Sequence, residues 1–271
     1  MGSRCDGGVP LIYELFHMLI VALFLSHWFL AIFIQSSFHH RYASHRMFTM
    51  PRVTERVTHL LAWFVQGPSY LPPRAYAIMH REHHAFSDTE RDPHAPAFFR
   101  NVFAMMWATA GRFSAHLEGR SNPEPRFLGH APEWPVVDRI GSTWVSRIAF
   151  GAGWAVLYLW LATAWWQFLL LPMHWVMGPA QGAIVNWCGH RYGYRNFPTR
   201  DASRNSLPFD FLTLGELFQN NHHRASGRLN FAWRKFEFDP TYQLLRVLAW
   251  MRVIRIVPEE VAAGDVNALA A

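Results

Sequence analysis

Sixteen histidines occur in this chain of 271 residues, and eight of them fall in four short clusters whose spacing suits metal ligation. The first cluster is an HxxxxH bounded by His40 and His45. Five residues on an α-helix turn through about 140°, so these two imidazoles diverge and could reach two different ions. The second, His80, His83 and His84, has i, i+3, i+4 spacing that sets three imidazoles on one helical stripe. Asn186 and His190 form the third, at i, i+4. The fourth repeats the i, i+3, i+4 pattern at Gln219, His222 and His223, with an amide in the first place. One ion cannot use eight imidazoles. Two ions at roughly four nitrogens each, with positions left for water or oxygen, can use them all, and imidazole suits iron, copper, zinc or nickel.

Asp88, Asp92 and His94 follow the second cluster closely, and carboxylates there would orient ligand imidazoles. Asp92-Pro93 also reads as a plain turn. A soluble-type carboxylate di-iron bundle would need paired ExxH motifs, and the case at Glu14 and His17 lies far from the clusters. The isolated His59, His116, His130 and His174 read as structural. Tyr192 and Tyr194 flank the third cluster. Cys5 and Cys188 are far apart, which suggests neither a disulfide framework nor a cysteine-held zinc or iron-sulfur site. Redox chemistry must come from elsewhere.

The elements that must position these residues lie in a membrane. Apolar residues make up 51% of the chain and charged ones 16%, and the apolar residues gather in long blocks. Thirteen Trp, eight Tyr and 22 Phe supply rings for both interfaces. Residues 11–38 form a first span, retained rather than cleaved as a signal peptide, although Arg4 precedes it. Arg41, Arg46, Arg52 and Arg56 place its far end in the cytoplasm. Residues 57–71 are short for a crossing and read as a partly inserted helix or hairpin. The stretch 72–144 is polar and cytoplasmic, except that 98–113 reads as an interfacial or tunnel-lining helix. The apolar run that follows divides near 162–166 into spans at 145–161 and 166–187, with Pro172 tolerated inside the second. Residues 191–271 return to the cytoplasm, with an interfacial amphipathic helix at 242–257 and a frayed tail from Glu259. The expected fold is all-α: one polytopic membrane domain whose cytoplasmic helical cap carries every histidine cluster. A multi-pass protein of a bacterial inner membrane fits this pattern. The formal charge of +6 comes almost wholly from arginine, suited to phosphates of lipids or CoA, and no nucleic-acid reading motif accompanies it. Arg74, Arg191, Arg195, Arg224 and Arg228 lie near the clusters and are candidates for a substrate head group.

Taken in order, the motifs resemble the membrane fatty-acid desaturase family, and within it the stearoyl-CoA (acyl-CoA delta-9) branch and its bacterial relatives. The matching residues are HxxxxH at 40–45, HRxHHxF with a downstream Asp-Pro-His at 80–94, NxxxH leading into Tyr-Gly-Tyr-Arg at 186–195, and Gly215-Glu216 ahead of Asn220, Asn221, His222 and His223. This resemblance implies two iron ions, cycling between Fe2+ and Fe3+, that use oxygen to place a cis double bond in a long acyl chain carried by CoA or lipid. It implies Asn186 acting through a bound water, no acid-base side chain, and two electrons from a separate ferredoxin or b-type cytochrome with its reductase. Two departures stand out. Gln219 occupies the place of a usual histidine, where it could supply an oxygen ligand or a water contact. One clear N-terminal span replaces a pair, which puts the N-terminus outside the cytoplasm. The alternatives are a fatty-acyl or alkane hydroxylase with similar histidine boxes and, in another class, a metal transporter, whose ligands should lie inside the spans near the midplane.

Overall fold

The computed structural model describes residues 11–259, with side chains from Met18 onward. Arg4, Cys5, the side chains of Glu14 and His17, and the tail after Glu259 lie outside the described residues. Among the described residues the regular elements are helical, apart from two short paired strands.

Helix α1 (Leu11–Ile34) does not stop where its apolar sequence ends. It continues as a π-helix over Gln35–Ser44, closed by His45. Met18–Ser44 together form an apolar helix of 27 residues, long enough to cross a bilayer. The polar π-helical end survives because it is sheathed in protein: Gln35, Ser36, His39, His40, Arg41 and Ser44 are all buried. After strand β1 (Phe48–Thr49), helix α2 (Arg52–Gln66) packs on α1. It buries His59, Ala62, Val65 and Gln66 and turns Val53, Val57, Leu60, Leu61 and Phe64 outward. Gly67, with φ +46, and Pro68 end it at 15 residues. Helix α3 (Pro73–Phe86) begins on Pro73, whose missing N–H costs nothing in a first turn, and packs on the π-helical segment. Helix α4 (Val102–Leu117) is capped by Asn101, which accepts the Ala104 N–H at 2.9 Å, and exposes Phe103 and Trp107.

Helix α5 (Pro135–Ser142) leads into α6 (Trp144–Leu161), the second helix long and apolar enough to span. The chain then breaks at Ala162, as its sequence suggests. The next stretch is not one helix containing Pro172. A 3-10 turn (Trp165–Leu170) precedes α7 (Leu171–Trp175), where Pro172 sits in the first turn, and the chain then bends by 76° into α8 (Met177–Gly189). The cause is Pro179: without an N–H it cannot bond the Trp175 carbonyl, so the helix restarts, with Ala180 N–H reaching Val176 O at 2.8 Å. Helix α9 (Gln219–Arg224) is one short turn and a half. The C-terminal amphipathic helix is also shorter than its pattern suggests. It runs as α10 (Pro240–Trp250), after which β-branched Ile254 and Ile256 accompany strand β2 (Arg255–Ile256), antiparallel to β1.

A chain of polar contacts runs between the apolar helices. The His27 Nε2 is 2.6 Å from the Val65 carbonyl, the His27 and His174 Nδ1 atoms are 2.6 Å apart, and the Tyr158 hydroxyl is 2.8 Å from His174 Nε2. Trp154 stacks on His174 at 3.9 Å. Two neutral imidazoles satisfy every link, which is what an apolar surrounding demands of buried polar groups.

Candidate metal centre

All eight imidazoles converge. His40 and His45 come from the π-helical end of α1, His80, His83 and His84 from α3, His190 from the residue that caps α8, and His222 and His223 from α9. They form two abutting groups: five nitrogens from His40, His45, His80, His84 and His222, and three from His83, His190 and His223. His84 and His223, one from each group, stack at 4.6 Å.

The expectation that His40 and His45 diverge is corrected. Their rings lie 5.1 Å apart in one group, because a π-helix closes on residues five apart and stacks them on one side. Within this group the Nε2 atoms follow one another around a common centre: His45 to His80 at 2.8 Å, His80 to His84 at 3.0 Å, His84 to His222 at 2.9 Å, and His222 to His40 at 2.9 Å. Nitrogens bound at about 2.0–2.1 Å lie about 2.9 Å apart at right angles and about 3.4 Å apart in a tetrahedron. Five nitrogens in one group exceed what a tetrahedral ion takes, so the donor set fits a five- or six-coordinate ion.

In the second group each imidazole is held at Nδ1 by a carboxylate, leaving Nε2 to face inward. Asp92 holds His83 at 3.0 Å, Asp88 holds His190 at 2.8 Å, and Asp201 holds His223 at 2.9 Å. His83 and His223 Nε2 are 3.3 Å apart, and His190 Nε2 is buried with no protein partner. A carboxylate on Nδ1 fixes the tautomer that offers a lone pair at Nε2. In the first group Glu216 does this for His40, and the Nδ1 atoms of His45 and His222 are buried without a partner. Asp92 does more than turn the chain, because it also accepts the N–H groups of Asp88 at 2.8 Å and His94 at 3.0 Å. His94, whose two ring nitrogens are buried and unpartnered, forms a trio with His83 and Asp92. Its His83 already spends Nδ1 on Asp92.

Electrostatics keep the centre ready for a cation. Burial drives His45, His80, His84 and His222 well below the usual histidine range and lowers His223 to about 4, so these rings are neutral near pH 7. Burial opposes charge on His83 too, but Asp92 outweighs it and raises that pKa. Burial also favours the neutral form of Glu216, yet His40 and Arg41 prevail and hold it at about 2. Asp88, Asp92 and Asp201 are likewise held low, each by its imidazole against the effect of burial.

Several residues support the centre in roles that their spacing in the sequence does not reveal. Arg41, inside the first box, is fully buried; it pairs with Glu216 and, at 2.9 Å, with Asp239, and lies 3.8 Å over Phe231. Asp201 sits in a loop held by Arg195, which bonds the Thr199 carbonyl at 2.8 Å and the Asp201 carbonyl at 3.1 Å. Asn220 and Asn221, next to the fourth-cluster histidines, pin that loop through Asn196 and Asn205. Among the sequence candidates, Asn186 lies one turn before His190 and donates to the Gly182 carbonyl at 2.9 Å. Gln219 is buried, and its Nε2 donates to the Glu216 carbonyl at 2.7 Å. Arg191 donates to the Pro96 carbonyl at 2.7 Å and covers Trp187, Arg74 pairs with Glu133 at 2.8 Å, and Arg228 covers Trp233. Tyr192 is exposed, while Tyr194 donates to Glu237 at 2.6 Å. His59 and His116 pair with Asp138 and Glu82, away from both groups.

Comparison with known proteins points the same way. Residues 15–236 match the fatty acid desaturase family. The chain is 29% identical over 225 residues, 77% of its own length and 67% of the relative's, to the delta-9 desaturase-like 5 protein of Arabidopsis thaliana. It is 29% identical over 229 residues, 82% and 78% of the two lengths, to the sn-1 stearoyl-lipid 9-desaturase of Anabaena variabilis. Over 241 residues, 83% and 72% of the lengths, it is 26% identical to the hex-5-enoyl-[acyl-carrier protein] acetylenase of Moorena producens. It thus spans about two thirds of the plant relative's length. With a match over most of its own length, the chain belongs to the fatty acid desaturase family.

Proposed function

We propose that this chain desaturates a long acyl group at a di-iron centre, using oxygen and two electrons from an external donor. The observation that carries the reading is the convergence of eight imidazoles from four separate segments into two abutting groups. Five nitrogens in the first group favour iron over tetrahedral zinc. Bound there, iron would supply the oxygen chemistry that removes a hydrogen from each of two adjacent methylenes. The reaction balances as one acyl CH2–CH2, one O2, two electrons and two protons giving one cis CH=CH and two waters.

The protein's own part is to hold and to exclude. Asp88, Asp92, Asp201 and Glu216 would fix the imidazole tautomers, and Asn186 would hold a water beside His190. Gln219 would border the position held by His83, His190 and His223. Neither group needs a proton-transferring side chain. The substrate would be an acyl chain on a lipid or CoA, desaturated at position 9, a reading that draws on the acyl-lipid and delta-9 relatives. Arg74, Arg191 and Arg195 are the candidates for its phosphate-bearing head. A separate ferredoxin or b-type cytochrome with its reductase would deliver the electrons.

We also read α1, α6 and the bent α7–α8 pair as the crossings, with residues 57–71 partly inserted, residues 39–56, 72–144 and 191–271 cytoplasmic, and the centre on the cytoplasmic face of a bacterial inner membrane. The test is the fatty-acid profile of aerobic bacteria expressing either the wild type or His84→Ala at matched levels, with double-bond positions mapped by gas chromatography. A new monoenoic acid in the wild type alone is the expected result. A hydroxylated acid would establish hydroxylation instead, and metal uptake into vesicles with no lipid change would establish transport.

A further inference from the structure

The two imidazole groups are unequal, five against three, and one of the two imidazoles missing from the smaller group corresponds to an identifiable residue. Gln219 begins α9 one turn before His222 and His223, on the stripe that faces the centre. Its side chain packs against Gly189, where a Cβ would collide with the Gln219 side chain, and Gly189 directly precedes His190. Gln219 thus packs on the residue that precedes one member of the three-imidazole group, His190, and lies four residues before another, His223, on the same helix. Its nitrogen is spent, because Nε2 donates to the Glu216 carbonyl at 2.7 Å. That bond also fixes which branch of the amide is oxygen. The position can then offer no more than a neutral amide oxygen, a poorer donor than imidazole for a late first-row metal.

The other group has no such gap. Its five Nε2 atoms succeed one another at 2.8–3.0 Å with imidazole on every side. Among the described residues no further ligand is grouped with the smaller set: His83 bonds Asp92 through Nδ1, and His94 is grouped with His83 and Asp92, not with His190 and His223.

We propose that the two metal positions are thermodynamically distinct: the five-imidazole position fills first and holds its ion, and the three-imidazole position beside Gln219 carries the exchangeable one. This rests on the two-ion reading of the centre. One ligand fewer should weaken the second position by on the order of 10–100-fold, the effect that loss of even an outer partner produces. Stepwise loading follows, so partly loaded protein has its ion among His40, His45, His80, His84 and His222.

The experiment loads the full chain in detergent with iron, adds a competing chelator, and follows the iron remaining per chain by elemental mass spectrometry. The wild type should lose one ion at least about tenfold faster than the other, in two resolved phases. His190→Ala should lack the fast phase and His45→Ala should lack the slow one. Gln219→His should slow the fast phase by about tenfold or more and leave the slow phase unchanged. If that variant does not fold, the assignment of phases by His190→Ala and His45→Ala decides the matter. A single phase in the wild type, a fast phase that disappears in His45→Ala and not in His190→Ala, or a folded Gln219→His with an unchanged fast phase would each overturn the proposal. If no form ever binds more than one ion, the two-ion reading itself fails, an outcome distinct from two ions that leave together.

Discussion

A carboxylate stands behind every imidazole of the three-membered group: Asp88 and Asp92 from the turn after α3, and Asp201 from a distant loop. The ligands themselves were legible because helical spacing announces them, and Asp88 and Asp92 because they trail the second box by a few residues. Asp201 and Glu216 were not recognised as carboxylate partners of imidazoles, since a loop that folds back leaves no period in the sequence. Arg41 and Asp239 share that fate, being matched only through a buried ion-pair network across nearly the whole chain. Replacing Asp201 by Ala should weaken the second ion by about 10–100-fold while sparing the first, measured as iron per chain under chelator challenge. Equal loss of both ions would contradict the assignment. The same residues set a pH dependence. His45, His80, His84, His222 and His223 have folded pKa values below the ordinary 6.5, so the unfolded chain binds more protons as pH falls past that value. Stability of the metal-free protein is then full above about pH 6.5 and lost progressively below it. His83, raised by Asp92, works the other way, but it is one group against five. Thermal unfolding of the metal-free protein should show a midpoint that drops steadily between about pH 7 and pH 5; a flat profile would count against neutral buried imidazoles.

At the scale of elements, hydropathy revealed the first helix, the break after Leu161 and the short α2, because each depends on local composition. Two features escaped it. The π-helical winding of Gln35–Ser44 depends on packing against α2, α3 and α10, and it turns a diverging HxxxxH pair into neighbours. The 76° bend between α7 and α8 depends on Pro179, whereas attention falls naturally on Pro172, which is harmless in a first turn. The helices are also joined by the His27, His174 and Tyr158 chain. His174→Ala cuts it and should lower stability by about 1–2 kcal/mol, the scale of a polar contact between apolar helices. Denaturation in detergent would measure this, and iron content should not change, since the chain touches neither imidazole group.

At the scale of the whole molecule, the fold class and the presence of one histidine centre followed from the sequence, because apolar blocks and clustered ligands survive without knowledge of contacts. The division of eight ligands into five and three did not, since it depends on how α3 meets α9. The proposed topology makes its own prediction. In a chain with both cysteines replaced by Ser, Trp165→Cys, on the exposed turn between α6 and α7, should react with an impermeant maleimide in intact cells. Arg200→Cys, exposed beside the Asp201 loop, should react only after the membrane is opened. Reversal of the two would invert the orientation. The central claim, desaturation rather than oxygen insertion, is tested most directly by turnover under 18O2 with a substrate deuterated at both target methylenes. The iron-loaded protein and a compatible electron donor would be supplied, and the acyl product would be analysed by mass spectrometry. The account predicts a product that has lost one deuterium from each methylene and carries no 18O. A product that has lost a single deuterium and gained one 18O would contradict it.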